Sequence, residues 1–252
     1  MTRLSFALFL LAACGGPDTD TSETGPSETP ATEASAGGEI AAPGHTHGRH
    51  AHGHHGPGHD HDFSDVERFA AIFDDPERDQ WQKPDEVIAL MDLQPGQIVA
   101  DIGAGTGYFL SRLSAAVGPE GRVFGLDVEP NMVAHMERRI ASESLSNTEA
   151  VVVPADDPSL EPASVDAILI VDTWHHIGER EAYAAKLFSA LKPGGSVYVV
   201  DFTRDAPHGP PPEMRLSPLT VAEELAAAGF VIRTLEESLP HQYVVRATRP
   251  TE

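Results

Sequence analysis

The sequence predicts an α/β fold: a doubly wound, seven-stranded, mostly parallel sheet with helices ahead of its first strand. Three observations carry that reading. Val99-Ala100-Asp101-Ile102 is an apolar run interrupted by one carboxylate, and it enters Gly103-Ala104-Gly105-Thr106-Gly107 just before a helical pattern. Strand, glycine turn and helix in that order build nucleotide-type sites at the edge of a parallel sheet. Val165 to Val171 is almost continuously apolar, as a strand covered on both faces must be. Between and after these, short β-branched runs alternate with segments of helical period.

Taken in order, Asp65 to Phe73 shows helical apolar spacing at Val66, Phe69, Ala70 and Phe73, and Pro84 to Leu93 reads as a second helix with proline in its first turn. Asp79-Gln80-Trp81-Gln82-Lys83 lies between them. The first strand and glycine turn follow; glycine takes positive φ without strain and lets a ligand approach the main chain. The next helix, Tyr108 to Val117, presents N–H groups at its N-terminus. Arg122 to Asp127 is a second strand ending in an acid, and Glu129 to Ser142 a helix. Val151 to Asp157 is a third strand ending in acids. Only Asp157 to Ser164 separate it from the fourth strand, Val165 to Asp172, too few for a full helix. Glu179 to Leu191 is helical; Lys192-Pro193-Gly194-Gly195 turns into a fifth strand, Ser196 to Asp201. After a helix at Thr220 to Ala228, Phe230 to Glu236 and Tyr243 to Thr248 form an antiparallel last pair, with Pro240 and His241 in the connection.

The glycine spacing separates two cofactor classes. A dinucleotide fingerprint is G-x-G-x-x-G/A, whereas here the third glycine comes one residue early and Asp101 would oppose a pyrophosphate. The stretch closely resembles motif I of the class I S-adenosylmethionine (SAM) dependent methyltransferases, and the later strand ends and the Leu191-to-Gly195 turn resemble that family's too. The resemblance implies a Rossmann-like SAM methyltransferase fold over residues 63–252. It implies that Asp101, Gly103, Ala104, Gly105 and Gly107 hold the methionine portion of SAM, with Asp101 facing the ammonium. Asp127, with Val128 beside it, would meet the ribose hydroxyls, Asp156 the adenine amino group, and Asp172 the cofactor at the mouth of the fourth strand.

Methyl transfer from a sulfonium is a displacement accelerated mainly by alignment. A base is needed only where the acceptor must lose a proton, and His175 and His176, directly after the fourth strand, have the chemistry for it. Trp81 is a candidate lid residue. His208-Gly209-Pro210-Pro211-Pro212-Glu213 is a stiff candidate wall, and Gln242 and Tyr243 reach the same region. The expected function is methyl transfer to an unidentified small-molecule or lipid acceptor. Two alternatives stay open: a nicotinamide-dependent oxidoreductase, and a non-catalytic metal-binding lipoprotein with a relic α/β domain.

Charge and the N-terminus set the surroundings. The chain has 252 residues and a formal net charge of −22, which opposes a nucleic-acid partner. Residues 1–13 read as a signal peptide: Arg3 precedes an apolar stretch too short to cross a bilayer. That stretch ends in Leu11-Ala12-Ala13-Cys14, which looks like a bacterial lipobox. By that likeness Cys14, the only cysteine, is acylated. The expected location is then the cell envelope, lipid-anchored at the outer membrane, on its periplasmic side or surface. Residues 14–44 have almost no apolar side chains and read as a disordered tether. Residues 45–62 hold eight of the 13 histidines, His45, His47, His50, His52, His54, His55, His59 and His61. Such a tract can gather around Zn²⁺, Ni²⁺ or Cu²⁺. An outward-facing protein must also be reached by a cofactor made in the cytoplasm.

Overall fold

A computed structural model describes residues 66–251. The signal peptide, the tether, the histidine tract and Cys14 lie outside the described residues. Three helices, α1 (Val66–Phe73), α2 (Arg78–Gln82) and α3 (Pro84–Met91), precede the sheet. The alternation then runs β1 (Ile98–Ile102), α4 (Leu110–Val117), β2 (Arg122–Asp127), α5 (Pro130–Glu143), β3 (Thr148–Val152), β4 (Val165–Val171), α6 (Arg180–Ala190), β5 (Leu191–Phe202), α7 (Pro218–Ala227), β6 (Val231–Thr234) and β7 (Gln242–Thr248). The sheet order is β3-β2-β1-β4-β5-β7-β6. β1 to β5 pair in parallel, and β7 runs antiparallel to both β5 and β6. The expected seven-stranded, mostly parallel sheet is present.

Side-chain alternation explains why β4 is apolar from Ala167 to Val171, beyond the half-buried Asp166 at its start, which pairs with Lys192. Ile168 and Ile170 enter the core on one face with Trp174, Leu187 and Val199; Ala167 and Leu169 enter the other with Leu110, Leu113 and Met136. Both faces are dry, so neither position parity tolerates charge. The order reverses between β1, which leads outward to β2, and β4, which leads the other way. Ligands of doubly wound sheets sit at such a switch point, beyond the carboxyl ends of the strands.

Most element ends differ from expectation by one or two residues, and the larger departures have local reasons. The third strand is Thr148–Val152, not Val151–Asp157. It pairs only with β2, and the chain leaves the sheet before Pro154, which has no N–H to donate. The glycine turn continues through Phe109, so α4 starts at Leu110 rather than Tyr108. Residues 78–82, expected as a connection, form the one-turn helix α2. β5 begins at Leu191: Val165 pairs with Leu191 and Ala167 with Ser196, so Lys192 to Gly195 bulge out of the ladder. No helix fills the stretch between β3 and β4, as the short spacing required. Among the described residues no helix is long and apolar enough to cross a membrane.

Candidate active site

The carboxyl ends of β1, β2, β4 and β5 open into a cavity of about 1010 Å³, roofed by α1 and α2 and walled by the loop after β5. That is the upper end of the range for one drug-sized ligand.

The glycine turn builds the first half. Gly103 has φ +70°, and a Cβ there would lie 2.3 Å from Oγ1 of Thr173, so the loop after β4 closes directly on it. Gly105, at φ +56°, donates its N–H to Oδ2 of Asp127 at 2.8 Å, while the Glu129 N–H reaches Oδ1 at 2.9 Å. Both oxygens of Asp127 are thus oriented by backbone donors, and burial raises its pKa. Asp101, one residue before the end of β1, is 2% exposed, and none of the hydrogen bonds around the site involves its carboxylate. Burial pushes its pKa up to about 7; Arg78 acts against this and Asp127 adds to it.

Arg78 is the one arginine or lysine lining the cavity among the described residues. Its guanidinium lies 4.0 Å from the Tyr108 ring centre and donates to Oε1 of Gln82 at 3.0 Å and to the Phe73 carbonyl at 2.9 Å. Gln82 donates to Gln242, Gln242 donates to Oδ1 of Asp172 at 2.6 Å, and Oδ2 of Asp172 faces Arg78 at 3.9 Å. This closed ring ties α2 to β4 and β7 through two fully buried amides, Gln82 and Gln242. Burial also raises the pKa of Asp172 and lowers that of Arg78. Asp172, the residue after β4, holds φ at +52°. Tyr108 donates its hydroxyl to Asp79, which also pairs with Arg112 at 3.0 Å; Thr106 and Arg139 both reach Asp74. The N-terminal helices are therefore fastened across the glycine turn.

The second half lies at the ends of β4 and β5. A 3-10 turn, Trp174–His176, follows β4; Trp174 is fully buried and donates to Glu224 at 2.8 Å, which fixes the turn. Nδ1 of His175 sits 3.0 Å from both oxygens of Asp201, the penultimate residue of β5, which is 0% exposed. A carboxylate there accepts Nδ1–H and leaves Nε2 as the proton-accepting nitrogen. His176 is exposed and its ring lies 4.2 Å from that of His175. Trp81 on α2 meets Phe202 and His208 at ring-centre distances of 5.7 and 4.4 Å. Burial, helped by His241 and Arg215, holds the His208 pKa down.

Asp101, Gly103, Ala104, Gly105, Asp127, Val128, Asp172, His175 and His176 all line the one cavity, as does Trp81. Two of the expected residues lie outside the cavity lining. Gly107 does not line it: at φ +81° it packs beneath Leu110 and Met136 and serves the turn. Asp156 is exposed and outside it; with β3 ending early, Val153 and Ala155 line the cavity instead. Gln242 acts from behind Asp172, and Tyr243 donates to the Leu216 carbonyl at 3.1 Å. Arg78, Gln82 and Asp201 were not expected. Asp201 left one signal, an acid closing an apolar strand; Arg78 left none. Among the described residues no group of His, Cys, Asp and Glu is placed to hold a metal.

Residues 99–195 match a family model described as a methyltransferase domain. The crystal structure of a SAM-dependent methyltransferase from Aquifex aeolicus superposes with a TM-score of 0.68 at 28% identity, over 73% of this chain and 98% of that one. An arsenite methyltransferase of Halobacterium salinarum is 25% identical over 139 residues, 55% of this chain and 35% of its own length. A demethylmenaquinone methyltransferase of Bacillus mycoides is 27% identical over 121 residues, 48% of this chain and 50% of its own length. The fold is that of SAM-dependent methyltransferases. The chain spans a third to a half of the curated relatives it matches.

Proposed function

We propose that this protein transfers a methyl group from SAM to a small-molecule acceptor, in the cell envelope, where acylated Cys14 anchors it. One observation carries the cofactor reading: a buried carboxylate, Asp101, without a hydrogen bond at the glycine turn, with a guanidinium, Arg78, as its nearest opposing charge. A zwitterionic amino-acid end satisfies both, its ammonium at Asp101 and its carboxylate at Arg78. A pyrophosphate would instead meet three acids, Asp101, Asp127 and Asp172, with Arg78 alone opposing them. SAM, when bound, supplies a methyl carbon on a positively charged sulfur, and the electron pair of the broken bond returns to that sulfur. The chain's part is to hold the cofactor, align the acceptor and take a proton at Nε2 of His175, with Asp201 holding the tautomer. A trivalent-arsenic acceptor is not favoured, because arsenic of that kind is held by thiolates and the sole cysteine is Cys14.

Calorimetry of the full chain with SAM and with NAD tests the cofactor. SAM should bind with micromolar-scale affinity; heat from NAD alone would move the protein to the oxidoreductases. Fractionation tests the anchor: wild type should leave the membrane pellet only with detergent, and Cys14→Ser should abolish that association. Wild type recovered as soluble protein with its leader intact would end the envelope reading.

A further inference from the structure

The far half of the cavity differs in kind from the half at the glycine turn, and the difference identifies what enters it. We propose that Trp81, Phe202, His208 and His241 form the acceptor subsite, and that it takes a neutral, apolar, ring-bearing molecule whose acidic hydroxyl, a phenol or enol, meets His175. The proposal deepens the methyltransferase reading and rests on it.

The rings make a rigid corner. Trp81 meets Phe202, tilted 34°, and His208, tilted 54°, these two meet each other edge-on at 5.7 Å, and the His208 ring stands perpendicular to that of His241 at 5.0 Å. Faces and edges together suit an aromatic guest, which gains both offset and edge-on contacts. The loop carrying His208 is fixed before any ligand arrives. Arg215 donates to the carbonyls of Ala206 and Pro210 at 2.7 Å and of His208 at 3.1 Å, so its charge serves the loop. A wall ordered in advance costs less entropy on binding.

Charge excludes other guests. No Lys, Arg, Asp or Glu lines the cavity from the segment 173–177 or from residues after Phe202. Asp201 lies behind His175 at 0% exposure, and His208 is held neutral by burial. Asp172, at the boundary, is engaged by Gln242 and Arg78. Asp75 and Glu77, exposed on the α1–α2 connection, border the cavity and oppose an anion. A carboxylate or phosphate acceptor would lose its hydration with only Arg78 nearby, 5.9 Å from the Trp81 ring and already engaged by Phe73, Gln82 and Asp172, and a cationic amine would meet carboxylates only at the rim, in Asp75 and Glu77, and at the boundary, in Asp172. The polar functions at this end are imidazole nitrogens, among them Nε2 of His208, buried without a hydrogen-bond partner; Nε2 of His175 is the one whose ring is oriented by a carboxylate, and it suits a hydroxyl. The hydroxyl proton passes to that nitrogen, and the acceptor oxygen, or the ring carbon it activates, bonds the methyl carbon as the C–S electron pair returns to sulfur. Where carbon is the acceptor, its hydrogen leaves to solvent as a proton when the ring regains conjugation, and the oxygen takes back the proton held by His175.

Calorimetry of the full chain tests this without turnover, with four probes of one shape: 2-naphthol, 2-methoxynaphthalene, 2-naphthoate and 2-naphthylmethylammonium. 2-Naphthol should bind at least about tenfold more tightly than either charged probe. Trp81→Ala and, on the separate loop, His208→Leu should each weaken it by roughly tenfold while SAM affinity stays within about twofold. In His175→Leu the preference for 2-naphthol over 2-methoxynaphthalene should vanish. Equal or tighter binding of either charged probe would overturn the proposal, as would 2-naphthol binding unchanged in both ring variants, each checked for wild-type melting. Loss of SAM binding with 2-naphthol binding intact would instead remove the methyltransferase reading and leave the subsite standing.

Discussion

The half of the cavity at the glycine turn is built mostly from one short stretch of chain, Asp101 to Glu129, in which backbone amides orient the Asp127 carboxylate. The acceptor half gathers Trp81, His175, Phe202, His208 and His241 from separate segments and holds almost no charge. In the proposed reading the first half meets a zwitterion with Asp101 and Arg78, and apart from Arg78, on α2, its parts follow one another along a strand and a turn. The second recognises shape and one proton, and its parts meet only because α2, β4, β5 and the loop before β7 converge. Arg78, Gln82, Gln242 and Asp172 join the two.

Four perturbations separate the halves, beginning with the largest effect. Asp101→Asn should cut SAM affinity at least about a hundredfold by removing a charge-assisted partner, with 2-naphthol affinity kept. The same variant should melt higher than wild type above pH 7. A carboxylate whose folded pKa is about 7, against an ordinary value near 4, contributes stability below pH 4 that is lost as pH rises through 7; asparagine carries no such pH-dependent loss. A lower melting temperature at pH 8, with SAM binding retained, would contradict both parts. At the other end, His175→Ala should lower the methylation rate by roughly a hundredfold while leaving SAM affinity within about twofold. Rates equal to wild type across the pH range would reduce His175 to a packing role.

The third perturbation is pH itself. SAM affinity should fall by about tenfold from pH 8 to pH 6, because Asp101, titrating near 7, must be ionised to meet the ammonium. 2-Naphthol affinity measured beside it marks the acceptor half, and a flat SAM profile would place the ammonium elsewhere. The smallest effect belongs to Asp156→Ala, expected to leave SAM affinity within about twofold, since that side chain is exposed and outside the cavity. A tenfold loss there would mean that the segment after β3 folds back when the cofactor binds.

Much of this protein was legible in its residues because its signals are local. The apolar β4, the glycine turn that only residues tolerant of positive φ can make, and the acid closing β2 each depend on neighbours in sequence. They yielded the sheet, its doubly wound order and the cofactor candidates Asp101, Gly103, Gly105 and Asp127. The end of β3 was misplaced although Pro154, inside the expected span, marked where the ladder had to stop; that the strand lies at the sheet edge was not visible in the run itself. Only the tertiary structure decided the rest. Asp201 becomes a partner of His175 through the parallel pairing of β4 with β5, and Arg78 joins the site because Thr106, Tyr108 and Arg139 fasten its helix region over the glycine turn. Asp156 is excluded and Trp81 admitted by where the chain turns after β3 and before α3. Such contacts join residues far apart in the chain, and no spacing within a single segment encodes them.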